Sequence, residues 1–155
     1  MVTYTHTLSD RATECLQDLI QYNIDANKGF NEAAEQVSHT GIAALFRELA
    51  GERMRMAEEL KRYVALTDEK PKESGHARGA IHRAWLDVRA ALNGGDPYVI
   101  LVEVERGEDS IKEAYKDALE EIQNTPIRDV LMRQYAQVKE GHDRVRELRD
   151  SFKNR

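Results

Sequence analysis

The sequence predicts an all-α protein: a four-helix bundle built from two antiparallel helical hairpins, with a long crossover that contains a short extra helix. Three observations carry this. Charged residues make up 33% of the chain and aromatics 6%, with three prolines and nine glycines, a composition that suits long amphipathic helices. Four long stretches carry apolar residues at helical spacing, and in two of them the seam alternates steps of three and four. Two of the connections between them are short, and one is long and polar.

The first helix is predicted over about 8–38, with Thr7 or Ser9 placed to accept hydrogen bonds from free N–H groups at its start. Its seam runs Ala12, Leu16, Leu19, Asn23, Ala26, Phe30, Ala33 and Val37, and Asn23 is the polar member. A second helix is expected over 41–66, carrying Leu45, Leu49, Met56, Leu60 and Tyr63 inside. The loop before it is short, with His39 in it, so these two helices must be antiparallel neighbours.

A crossover is predicted over 67–96, because TDEKPKESGHARG cannot pack and is broken by Pro and Gly. Within it a short amphipathic helix over 77–92 presents Ile81, Ala84, Trp85, Val88 and Leu92 on one side and is expected to lie across the bundle. Gly94 and Gly95 end it. Trp85 either caps the open side of the bundle or anchors a homodimer, with packing inside the chain favoured.

Asp96 followed by Pro97 starts the next long helix, over 97–123, with Leu101, Val104, Glu108, Ile111, Tyr115 and Ala118 on its seam. Thr125 and Pro126 repeat that start for a last helix over 126–153, whose inner side carries Leu131, Gln134, Val138, His142 and Val145. A shift of 85 residues lays one hairpin on the other without a gap, matching Leu16 with Leu101, Phe30 with Tyr115, Ile42 with Ile127 and Leu60 with Val145. Under that shift Asn23 falls on Glu108, and Arg53 falls on the seam residue Val138.

With 155 residues, one domain is expected. A net charge of -5 with interleaved Lys, Arg, Glu and Asp argues against nucleic acid and anionic membranes as partners. No apolar run approaches the ~20 residues of a membrane span. The start MVTYTHTLSDR lacks the apolar core of a secretory signal, and Cys15 has no second cysteine to pair with, so a reducing cytoplasm is the expected location.

The segments DLIQYNIDANKGFNEAAE, HRAWLDVRAAL, ERGEDSIKEAY and VKEGHDRVRELRD together resemble an uncharacterised bacterial family, domain of unknown function 2383. The two hairpins and long crossover are also similar, more distantly, to ferritin and rubrerythrin, which implies a ferritin-like bundle. In active proteins of that kind two helices each give a Glu and two each give Glu-x-x-His to a pair of iron or manganese ions. Here Asn23 stands at the first Glu position, Glu108 is retained, and the last helix reads Lys139-x-x-His142. The counterpart on the second helix is Met54-x-x-Ala57, and neighbouring registers supply no better pair.

Glu108 and His142 are therefore the candidate metal ligands, too few for a closed two-metal site. The competing expectation is a buried polar layer of Asn23, Arg53, Glu108 and His142, in which Arg53 points inward to pair with Glu108. A non-catalytic structural or interaction protein with a degraded two-metal site follows, with no cofactor and with a second copy or another protein as partner. The alternative is an iron- or manganese-binding protein or oxidase in which Glu52, Glu105 or a residue of another subunit supplements Glu108 and His142. Glu103, Glu105 and Asp109 read as a mostly solvated acidic run from which one member could rotate inward, and His76 and His82 as solvent-facing. Cys15 is expected to be inert for want of a spaced base.

Overall fold

The computed structural model describes residues 9–65, 80–123 and 126–153. Thr7, most of the polar crossover with His76, and the Thr125 cap lie outside the described residues. Among the described residues five helices follow one another: α1 Asp10–Gln36, α2 Thr40–Ala65, α3 Ala80–Gly94, α4 Pro97–Glu121 and α5 Pro126–Phe152. No helix among the described residues is long and apolar enough to cross a membrane.

Helix ends fall where local chemistry satisfies free backbone groups. The Ser9 hydroxyl accepts from the Ala12 N–H at 3.1 Å, and Asp96 accepts from Tyr98 N–H at 2.9 Å ahead of Pro97. His39 caps α2 through Nδ1, which accepts from the Ile42 N–H at 3.2 Å, and its ring meets Phe152 edge-on. This connecting-segment residue thus has a structural task that its sequence context did not announce. α1 stops at Gln36, two residues earlier than its pattern suggested, because Val37 takes an extended conformation. α3 continues to Gly94, and Gly95 at φ 75° reverses the chain, a conformation that glycine adopts without steric cost. Arg128 of α5 donates to the carbonyls of Leu119 and Ile122, satisfying the C-terminal end of α4.

Cross-helix contacts fix the directions. Asn27 meets Ala50 and Phe30 meets Phe46, so α1 and α2 are antiparallel. Glu105 with Arg149 and Tyr115 with Gln134 make α4 and α5 antiparallel. Glu48 with Arg144 and Glu59 with Arg133 do the same for α2 and α5. It follows that α2 and α4 run parallel, at opposite corners, and that the chain between them returns along the bundle. α1 contacts α2 and α4, and α5 contacts the same two helices from the other side.

α3 packs on both α4 and α1. The Trp85 ring lies on Gly29, Arg89 pairs with Glu32, and Ala84 faces Gly107, so α3 follows the groove between α1 and α4 and does not cross the bundle. Trp85 meets Phe30 edge-on with ring centroids 5.2 Å apart, which anchors it inside its own chain. The seams read from spacing are the core: Leu16, Phe30, Leu49, Leu60, Leu101, Ile111, Leu131 and Val145 are fully buried.

Candidate functional site

Polar residues interrupt this apolar core at mid-height. Arg53 of α2 has no exposed surface, as its equivalence to the seam residue Val138 under the repeat implies. Its Nη2 donates to Glu108 Oε2 at 2.7 Å, and its Nη1 donates to Glu52 Oε1 at 3.3 Å and rests against Met56 Sδ. Glu108 is 1% exposed. Burial pushes its carboxyl above the ordinary glutamate range, and the Arg53 charge is the strongest opposing influence. Glu108 Oε1 and Arg53 Nε are buried without a hydrogen-bond partner among the described residues.

Beside this pair runs a directional chain of hydrogen bonds. Asn23 Nδ2 donates to the Leu19 carbonyl at 2.9 Å and to Tyr115 Oη at 2.8 Å. The Tyr115 hydroxyl donates to Gln134 Oε1 at 2.8 Å, and Gln134 Nε2 donates to Glu59 Oε1 at 2.7 Å. Arg133 closes the chain at the surface, 2.6 Å from the other Glu59 oxygen, and holds that carboxyl below its usual range. Burial holds the Tyr115 phenol protonated, far above the ordinary tyrosine range. Tyr115→Phe leaves two buried amides each short of a partner, so a loss of about 1–3 kcal/mol is expected in urea unfolding. A change of only a few tenths would mean that water substitutes for the hydroxyl.

His142 faces elsewhere. Its Nε2 lies 2.9 Å from Asp109 Oδ1 and 3.4 Å from Glu105 Oε1, and its Nδ1 lies 3.2 Å from Asp143 Oδ1. The two residues named from sequence as co-ligands thus sit in different clusters, Glu108 with Arg53 and His142 with Glu105 and Asp109. Of the four residues expected in one layer, Arg53 and Glu108 are joined, Asn23 is bonded to Tyr115, and His142 belongs to the α4–α5 edge. Met56 is buried beside Arg53, so these two side chains fill the centre of the bundle.

Tyr115, Gln134 and Glu59 are members that the sequence did not single out as site residues, and Asp109 stood there only within the acidic run. Tyr115 and Gln134 stood on their seams, and a seam tyrosine needs a partner for its hydroxyl, which was the available signal. The thiol of Cys15 is pushed up by burial, which lowers its reactivity.

The model of the family described as Domain of unknown function (DUF2383) matches residues 11–121, out of 155. The chain belongs to this family. No curated protein matches it. The DUF2383 match takes in α1 to α4, hence Asn23, Arg53, Glu108 and Tyr115, whereas Gln134 and His142 lie beyond it on α5.

Proposed function

We propose that this DUF2383 chain is a ferritin-like bundle whose two-metal position has been taken over by an arginine, and that it serves as a non-enzymatic scaffold acting through contacts with other protein chains. The observation that carries the reading is the fully buried Arg53 guanidinium, 2.7 Å from Glu108, the one carboxylate retained from the ferritin-like ligand pattern. A fixed cation there both neutralises the retained carboxylate and repels a divalent ion. The parallel α2 and α4, joined by a long return, support the ferritin-like assignment.

The interior is built for fixed geometry. The Asn23–Tyr115–Gln134–Glu59 chain has one direction of donation available, and a buried network of this kind specifies helix register, although Asn23 Oδ1 has no hydrogen-bond partner among the described residues. No side chain in it pairs a nucleophile with a free base.

The test is metal analysis of untagged protein produced with added iron and manganese. Expected is no metal whose retention depends on Glu108. Two ions per chain, both lost on Glu108→Gln while helical content is preserved, would overturn the scaffold reading in favour of an oxidase-type centre.

A further inference from the structure

At the α4–α5 edge, His142 is 5% exposed and both of its ring nitrogens face carboxylate oxygens: Nε2 faces Asp109 and Glu105, and Nδ1 faces Asp143. A neutral imidazole carries one N–H, so if Nδ1 donates to Asp143, the Nε2 lone pair confronts two anions. That juxtaposition calls for a positive charge between them. The three converging atoms of Glu105, Asp109 and His142 all lie within 4.8 Å of one another, a separation that one ion can span.

Each ligand on the inner side is itself held in place. Asp143 orients the imidazole through Nδ1, and Arg149 takes Glu105 Oε2, which leaves Oε1 turned to His142. Outer partners of this kind, a carboxylate behind a histidine and a donor behind a carboxylate, are what orient the ligands of a metal.

The internal repeat supplies an independent observation. The 85-residue shift carries Glu105, Asp109 and His142 onto Ile20, Ile24 and Ala57, which are all buried apolar residues in the first hairpin. Packing at this height of the bundle is therefore met by an isoleucine pair over an alanine. The second hairpin departs from that solution at all three places together, toward the donor types that bind metals.

We propose that Glu105, Asp109 and His142 bind one first-row divalent transition-metal ion per chain, with one imidazole nitrogen and two carboxylate oxygens as donors. Imidazole with carboxylates suits zinc, iron, cobalt or manganese, and the half-exposed Asp109 leaves the outer side of the ion open to water. The site lies outside the Arg53–Glu108 pair and is independent of the scaffold reading.

The experiment is a titration of untagged protein with Co²⁺, followed by visible absorbance and by thermal unfolding. Expected is saturation at one equivalent with a rise in Tm, since an ion that binds only the folded chain stabilises it. Asp109→Asn, a surface change that the fold tolerates, should weaken binding by about tenfold or more, and His142→Gln should abolish it. Arg53→Met should leave it unchanged. Absence of saturable binding, or equal affinity in the wild type, Asp109→Asn and His142→Gln proteins, overturns the proposal. Binding altered by Arg53→Met but not by His142→Gln also overturns it, and places the ion at the centre of the bundle instead.

Discussion

Glu108→Gln is expected to destabilise the protein by about 3–5 kcal/mol, because it leaves the fully buried Arg53 guanidinium without its closest counter-charge. For a chain of this length that corresponds to a fall in Tm of roughly 10 °C. The reverse deletion should cost less. Arginine cannot discharge itself by losing a proton, but Glu108 can gain one, and burial already favours its protonated form. Arg53→Met also keeps much of the side-chain volume, so about 1–3 kcal/mol is expected. Combining Arg53→Met with Glu108→Leu should recover most of the larger loss, since an apolar replacement for a buried ion pair is often neutral or stabilising. Urea unfolding of the three variants measures this order. A Glu108→Gln protein as stable as the wild type would mean that the pair is not desolvated.

The pH dependence has a definite sign. The folded protein retains the Glu108 proton to higher pH than the unfolded chain does, because burial raises its pKa. The contribution of this group is therefore complete below the ordinary glutamate pKa of about 4.3, and it is lost as pH rises through the raised folded value. Removing the Arg53 charge removes the main opposing influence and pushes that value further up. Arg53→Met should accordingly lose more stability than the wild type does between about pH 5 and about pH 8, with the other titrating groups common to both proteins. An equal or smaller loss in the variant would contradict the assignment of Arg53 as the main influence opposing the upward shift at Glu108.

The second large effect is expected at Gly29. A Cβ at this position would lie 2.3 Å from Trp85 Cε3 and 2.6 Å from Cδ2, and the ring cannot withdraw inward because it already meets Phe30. Alanine in place of glycine normally strengthens a helix by ~1 kcal/mol. Here overpacking should reverse the sign and give a net loss of about 1–3 kcal/mol. Trp85 is the single tryptophan, so its emission reports the event directly: Gly29→Ala should shift it to longer wavelength as the indole moves toward water. A stabilised variant with unchanged emission would show that α3 does not rest on α1 through this contact.

Much of the fold was legible because each long helix carries its own record of which side is buried. The steps of three and four along Leu16 to Ala33 and Leu101 to Ala118 identify the inner stripes without reference to any other element. Ser9 and the Asp96–Pro97 pair mark helix starts by chemistry local to a few residues. The inward Arg53 and its pairing with Glu108 were also accessible, since the internal repeat sets Arg53 against Val138 and a buried guanidinium requires a carboxylate.

The course of α3 was not legible. An amphipathic stripe states that a helix covers something, but Ile81, Ala84 and Val88 would serve equally well across a bundle or along it. The choice was made by Gly29, which admits the Trp85 ring and lets α3 settle beside α1, and by the turn at Gly95, which sets α3 against α4. The grouping of His142 with Asp109 and Glu105 was hidden for a related reason. Spacing on one helix shows which residues share a face, whereas the rotation and axial offset of two helices decide which residues meet across the interface. The sequence by itself determined the helices, their inner faces and the buried charge that must be paired. Only the tertiary structure decided that Asn23 donates to Tyr115, that Gln134 carries the chain on to Glu59, and that three ligand-type side chains converge on the outer edge of α4 and α5, because each is a contact between helices whose relative setting emerges from packing the whole core at once.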